Sequence, residues 1–277
     1  MRISHLFPVL VCVGASTALA HLSYPAARYF SNDPTHTTLN DPFLLDTPST
    51  RIISGQSTKA FSWASGTDDN FARQDDQRYL RFTLAAPMTI TISITSADPV
   101  RFLPAFSVYA GVGHALADVS RLDYDGAQIT QQYLQSLGGT QPKEGAFDAL
   151  HTWKIADDQA TSLADLATFT YAGHAADGTS ANFGPAAGIN GDGVADGFVT
   201  GTFSLAAGEY TLVVGGANYF LQGLNNALPN YDNASYAFTA AVSNVPEPSS
   251  AGLLAVGLAA LGLLRQRFSG LRRALRP

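Results

Sequence analysis

Cysteine is all but missing from this chain of 277 residues: Cys12 stands alone. No intramolecular disulfide can form, so a folded body must hold together by its core, which a chain of this length can bury without staples. Charge is also scarce, at 14% of residues. Catalytic signatures are thin as well. No Gly-x-Ser-x-Gly elbow and no His-Glu-x-x-His zinc helix occurs, which removes the commonest local marks of serine and zinc hydrolases. Basic residues are few and badly distributed: of 16 Lys and Arg, Arg2 and five arginines beyond residue 264 lie at the extremities. Between those ends ten basic residues face all 22 acidic ones, a formal charge of −12. A body so acidic repels nucleic acid and anionic lipid, and favours solubility or association with cations.

What the chain does have is concentrated at its two ends. Met1 to Ala20 carries Arg2, an apolar stretch around Phe7 to Val13, and small residues at Ala18 and Ala20. That is the layout of a secretory signal peptide, predicted to be removed by signal peptidase so that the mature chain starts at His21. At the other end, Val245-Pro246-Glu247-Pro248 precedes an apolar run from Ala251 to Leu264, followed by Arg265, Arg267, Arg272, Arg273 and Arg276. The helix predicted over 249–264 would be apolar all round from Ala251 to Leu264, as lipid requires. Its fourteen apolar residues rise only about 21 Å against a hydrocarbon core of about 30 Å, so the flanking arginines must snorkel. The arginines also mark residues 265–277 as the cytoplasmic side and the acidic body as the outward one.

These ends resemble the exosortase substrates known as PEP-CTERM proteins. The likeness rests on Val245, Pro246, Glu247 and Pro248, the short apolar segment directly after them, and the basic terminus. It covers about the last thirty residues. It implies an inner-membrane precursor with its body outside the cytoplasm, cut by an exosortase near the Pro-Glu-Pro motif and then left in the envelope or secreted. It further implies a bacterium that makes exopolysaccharide, which becomes a candidate partner.

Between the ends, over 21–243, the pattern is that of strands. Leu80, Phe82 and Leu84 alternate with Tyr79, Arg81 and Thr83, and Ile90, Ile92 and Ile94 alternate with Thr89, Thr91 and Ser93. Period two predicts half-buried strands joined at Ala85-Ala86-Pro87 as a hairpin. The design returns at Phe203 to Val214 around Ala206-Ala207-Gly208, and Phe82–Ala86 and Phe203–Ala207 are near copies. Further strands are predicted at Ile52-Ile53, Lys59 to Trp63, Phe106 to Tyr109, Phe198 to Thr202 and Tyr236 to Val242. The expected fold is mainly β, an antiparallel, jelly-roll-like β-sandwich. A long excursion over about 112–196 interrupts it. There Ile129, Tyr133, Leu134 and Leu137 share a helical face, with Asp125 as N-cap and Gly138-Gly139 as stop; a second short helix is predicted around Leu163 to Leu166. The Leu-Ala-Ala and Gly-Glu-Tyr-Thr-Leu segments are also similar to the pre-peptidase C-terminal type of β-sandwich, a likeness that implies no catalytic residues.

Three function classes follow from these features. The first is a non-enzymatic structural or matrix protein without a cofactor. The second is a carbohydrate- or calcium-binding module. Asn190, Asp192 and Asp196 place oxygen ligands at alternating positions around Gly191 and Gly193, as in dockerin-type and EF-hand-like calcium loops. Gly188 at the first ligand position and Val199 at the twelfth depart from that pattern, and a plain turn built on Gly and Asp explains the same residues. Asp68-Asp69 with Asp75-Asp76 forms a second acidic cluster. Trp63, Trp153, Tyr171 and Tyr219 suit sugar stacking if exposed and core packing if not. The third class is a copper oxidase. A mature N-terminal His21 offers an amine and an imidazole that could chelate copper with a second imidazole from His36, His114, His151 or His174.

Overall fold

The computed structural model describes residues 50–60, 63–64, 72–73, 77–112, 146–155, 164, 166–221 and 234–244. Two antiparallel sheets face each other. One has four strands: β1 (Thr50–Lys59), β11 (Ser235–Asn244), β4 (Met88–Ser96) and β9 (Phe198–Leu205), in that spatial order. The other has five: β3 (Arg78–Leu84), β10 (Gly208–Gly216), β5 (Pro104–Ala110), β8 (Ala167–Ala176) and β7 (Trp153–Ile155). A two-residue pair, β2 (Ala72–Arg73) with β6 (Ala146–Phe147), lies apart. The mainly β sandwich expected from periodicity is what forms.

Its connections differ from expectation. Consecutive strands β3 and β4 do not pair with each other; β3 pairs with β10, while β4 pairs with β11 and β9. Residues 84–88 and 205–208 are therefore arches that step from one sheet to the other, not hairpin turns. The lengths permit this: four and three residue steps reach about 13 Å and about 10 Å, and packed sheets stand about 10 Å apart. Ala-Ala-Pro also lacks the glycine or asparagine that a tight primed hairpin turn demands. The two arches lie side by side, with Leu84 opposite Gly208 and Met88 opposite Leu205. That juxtaposition accounts for the near-repeat in sequence, since both copies turn the same corner.

Between the sheets lies the main core, including Phe82, Ile92, Phe106, Leu212, Phe238 and Val242. Phe82 stacks on Tyr210 with ring centroids 5.2 Å apart. A second apolar cluster covers the outer face of the five-stranded sheet: Trp63, Tyr79, Tyr109, Trp153, Phe169 and Phe183. This sheet is thus buried on both sides, and Tyr79 and Arg81, which alternation places outward, are also buried. Arg81 is held by an ion pair with Glu209 on the neighbouring strand. Polar anchors fasten the outer layer. The Trp63 indole N–H donates to Ser107 Oγ at 2.9 Å, Ser107 donates to the Ala149 carbonyl at 2.6 Å, and the Tyr109 hydroxyl donates to the Asp148 carbonyl.

The predicted helix around 129–137 falls outside the described residues, as do residues 1–49, His114 and everything after Asn244. Among the described residues no helix is long and apolar enough to cross a membrane. Part of the excursion over 112–196 is regular after all: β7 and β8 run through it and complete the five-stranded sheet.

Candidate functional site

The polar groups with the least ordinary surroundings gather on β8 and the loop that follows it. β8 starts with Ala167 and Phe169 buried and Thr168 and Thr170 exposed. Strict alternation would put Tyr171 and Gly173 on the side of Phe169. The register against β5 breaks instead: Tyr109 faces Tyr171, but Val108 faces Gly173, leaving Ala172 as an extra residue. This β-bulge re-aims the strand. Beyond it, Ala175 points into the main core while Ala176 joins the outer cluster, so Tyr171 and His174 come to share the outer face. Gly173 is required there, because a Cβ would lie 2.7 Å from the Phe203 ring.

The Tyr171 hydroxyl lies 2.5 Å from His174 Nδ1, and the backbone N–H of Asn190 donates to His174 Nε2 at 3.0 Å. These contacts decide the tautomer. With Nε2 accepting, the ring proton sits on Nδ1 and points at the Tyr171 oxygen. An imidazolium would turn a second N–H against that of Asn190, which disfavours the charged ring. Burial acts in the same direction and lowers the His174 pKa below its usual value. The Trp63 ring lies 5.7 Å from the imidazole, centroid to centroid. Burial also raises the Tyr171 phenol to about 12, with the Asp148 charge adding to the effect.

The loop after β8 folds back onto the strand that leads into it. A short helix, α1 (Ser180–Phe183), opens it, and Gly191 then bridges to Ala176. Asp192 N–H donates to the Ala176 carbonyl at 3.0 Å, and Gly178 N–H donates to Asp192 Oδ1 at 3.1 Å. A side chain at Gly191 would strike the Gly178 carbonyl at 2.1 Å, so the close return of the loop excludes any other residue. Asp177, fully buried, receives N–H bonds from Asp196 at 3.1 Å and Gly197 at 2.7 Å on its two carboxylate oxygens. Burial pushes its carboxyl up to about 6; those two bonds oppose the rise, and the charges of Asp192 and Asp196 add to it.

The residues singled out in sequence are distributed as follows. Asn190, Asp192 and Asp196 do lie together in this loop. Asp192 Oδ1 also accepts from Val194 N–H, and Asp196 Oδ1 accepts from Phe198 N–H. Val199, in the twelfth ligand position, is a core residue on β9. Among the described residues no group of three or more His, Cys, Asp or Glu could hold a metal ion. His174 has both ring nitrogens engaged, whereas His151 is mostly exposed and pairs with Asp148 at 3.1 Å. Trp63 and Trp153 are fully buried; Tyr171 and Tyr219 are half-buried. His21, His36, the aspartates at 68, 69, 75 and 76, residues 245–248, and Arg265, Arg267, Arg272 and Arg273 lie outside the described residues. Asp177 and Asp148 escaped sequence reasoning, since nothing local distinguishes them from surface aspartates.

Comparison with known proteins adds an address. No curated protein matches the chain. Among solved structures it is similar to CorA, a surface-associated copper-binding protein important in Methylomicrobium album BG8 copper acquisition, at 14% identity and a TM-score of 0.48, over 81% of this chain and 99% of that one. It is also similar to MopE, a secreted protein of Methylococcus capsulatus in which an oxidized tryptophan facilitates copper binding, at 13% identity and a TM-score of 0.42, over 82% and 93%. Copper binding is stated of those two proteins. The family comparison is confined to the tail and does not bear on the likeness to pre-peptidase C-terminal sandwiches. Residues 244–267 match the PEP-CTERM protein-sorting motif, which supports the resemblance to exosortase substrates read from the sequence.

Proposed function

We propose that this protein is exported, held at the inner membrane by its tail, cut by an exosortase, and delivered to the envelope or the exopolysaccharide matrix as a structural, non-catalytic β-sandwich. The sorting motif at 244–267 carries this reading. The state of the polar cluster supports its non-catalytic part. Tyr171, His174, Asp177, Asp192 and Asp196 are bonded to one another or to backbone N–H groups that close the loop. A general base or a metal ligand needs a free lone pair aimed at its target, and that of His174 is taken by the Asn190 N–H.

Intact-mass measurement of the protein recovered from envelope and medium tests the proposal. The mature form is expected to start at or near His21 and to end near Val245 to Pro248. In a variant carrying Pro246→Ala and Glu247→Ala the tail is expected to stay attached and the protein to stay with the inner membrane. Recovery of wild-type protein outside the cell with residues 251–277 still in place would overturn the reading.

A further inference from the structure

We infer that, in the membrane-held precursor, the sandwich stands with its two arches against the lipid headgroups and its aspartate-bearing loop pointing away. The inference rests on the proposed tail anchoring and adds an orientation to it. The sorting motif begins at Asn244, the last residue of β11, so the body ends where the sorting signal starts. Asn244 faces Ile90 on β4, two residues from the arch at 84–88. The end of β9, the start of β10 and the end of β5 lie there too, through the pairs Met88–Leu205, Leu84–Gly208 and Ala110–Tyr210. Ala176, Asp177 and the loop to Gly197 occupy the opposite end, beside Pro104 and Ala105.

Lengths exclude an inverted body. Seven residue steps separate Asn244 from Ala251, where the apolar run begins, a reach of at most about 25 Å. Roughly 7 Å of that is taken up by the headgroup layer, leaving about 18 Å above the surface. The ten residues of β11 span about 33 Å. An inverted body would lift Asn244 at least that far, so the tether is too short for the loop end to meet the bilayer.

Surface chemistry alone would not give this answer. The loop end exposes Val100, Val194, Phe198 and Phe220, larger apolar groups than those of the arches. The arch end offers exposed Ala85, Ala86, Pro87, Ala206 and Ala207, with Ile52 nearby on β1. Residues 84–90 and 203–208 contain no ionisable side chain, and Glu209, which follows the second arch, is neutralised by its ion pair with Arg81. The occupant of this end is the lipid–water interface itself.

The lone cysteine makes the test clean. The membrane-held precursor from His21 to Pro277, which lacks Cys12, would receive single cysteines by Ala86→Cys, Ala206→Cys, Val100→Cys or Val194→Cys, each labelled with a fluorophore. The proteins would be reconstituted in phosphatidylethanolamine–phosphatidylglycerol vesicles with a paramagnetic quencher on the headgroup. Loss of fluorescence is expected at 86 and 206, with little change at 100 and 194. Equal quenching at both ends, or stronger quenching at 100 and 194, in protein that floats with the vesicles would overturn the orientation alone. Protein that does not float with vesicles would overturn both the orientation and the anchoring beneath it.

Discussion

Replacing Asp177 by asparagine separates the two roles of its carboxylate, closing the loop and carrying a charge that the loop tolerates poorly. The folded carboxyl titrates at about 6 against an ordinary 3.8. Between those values the folded protein holds a proton that the unfolded chain has released. Stability therefore falls as pH rises through the window and is highest, for this group, below it. At 1.36 kcal/mol per pH unit the displacement corresponds to at most about 3 kcal/mol, and an effect of about 1–3 kcal/mol is expected. The substituted amide would carry no titrating charge, but its NH2 group would confront one of the two N–H donors, at a cost of about 1–3 kcal/mol independent of pH. Urea unfolding of the processed protein and its Asp177→Asn variant, compared from about pH 4 to about pH 7, reads both effects, because all other titrations cancel in the difference. Wild type is expected to be the more stable at acid pH and to lose about 1–3 kcal/mol of that advantage by neutrality. A difference that stays flat, or grows with pH, would refute the reasoning, since it would mean the carboxylate is ionised in the fold without penalty.

The neighbouring groups give three further expectations. His174→Ala removes the acceptor for the Asn190 N–H and should cost about 1–2 kcal/mol while speeding amide exchange at Asn190; unchanged exchange there would sink the clasp. Because its folded pKa is lowered, His174 contributes stability that is present above about 6.5 and lost as pH falls toward the lowered value, opposite in sign to Asp177, and the protection factor at Asn190, corrected for intrinsic exchange at each pH, should fall on acidification. Gly173→Val drives a side chain into Phe203 at the bulge, and thermal unfolding should show a loss of about 1–3 kcal/mol. Gln77 is buried, and neither amide atom has a hydrogen-bond partner among the described residues. Gln77→Met should therefore leave stability unchanged or raise it by about 1 kcal/mol, and a loss above about 2 kcal/mol would show that the amide is satisfied.

How much of this was legible in the chain depends on whether the signal is local. The tail is a contiguous string, Val245 to Pro248 followed by an apolar run and arginines, and it reads directly. Strand positions read nearly as well, because Leu80, Phe82 and Leu84 or Ile90, Ile92 and Ile94 must alternate whichever sheet they join. Which sheet they join is not encoded in that period. A hairpin and an arch both carry Leu-Ala-Ala between alternating strands, and only pairing partners more than a hundred residues away, β10 for β3 and β9 for β4, distinguish them. Nor does alternation reveal that a second aromatic layer covers the outer face, since Tyr79 and Arg81 look like ordinary outward residues until Trp63 and Trp153 are laid over that sheet.

The candidate site failed to read for two separate reasons. β8 hides its period behind the bulge at Ala172, which moves the outward set from Phe169 and Tyr171 to His174 and Ala176 and so erases alternation where the polar pair is built. The Asn190–Asp196 loop was visible, but its chemistry is ambiguous at the level of residue types. A carboxylate oxygen that can bind calcium can equally accept two N–H groups, and glycines that let a chain wrap a cation equally let it fold back on a strand. Composition cannot separate those uses, and the directions of the neighbouring N–H groups show that the second is in place. Here Gly178 and Val194 aim at Asp192, Phe198 aims at Asp196, and Asp196 and Gly197 aim at Asp177. Those donors engage Oδ1 of Asp192 and of Asp196 and close the loop whether or not a cation uses the remaining carboxylate lone pairs.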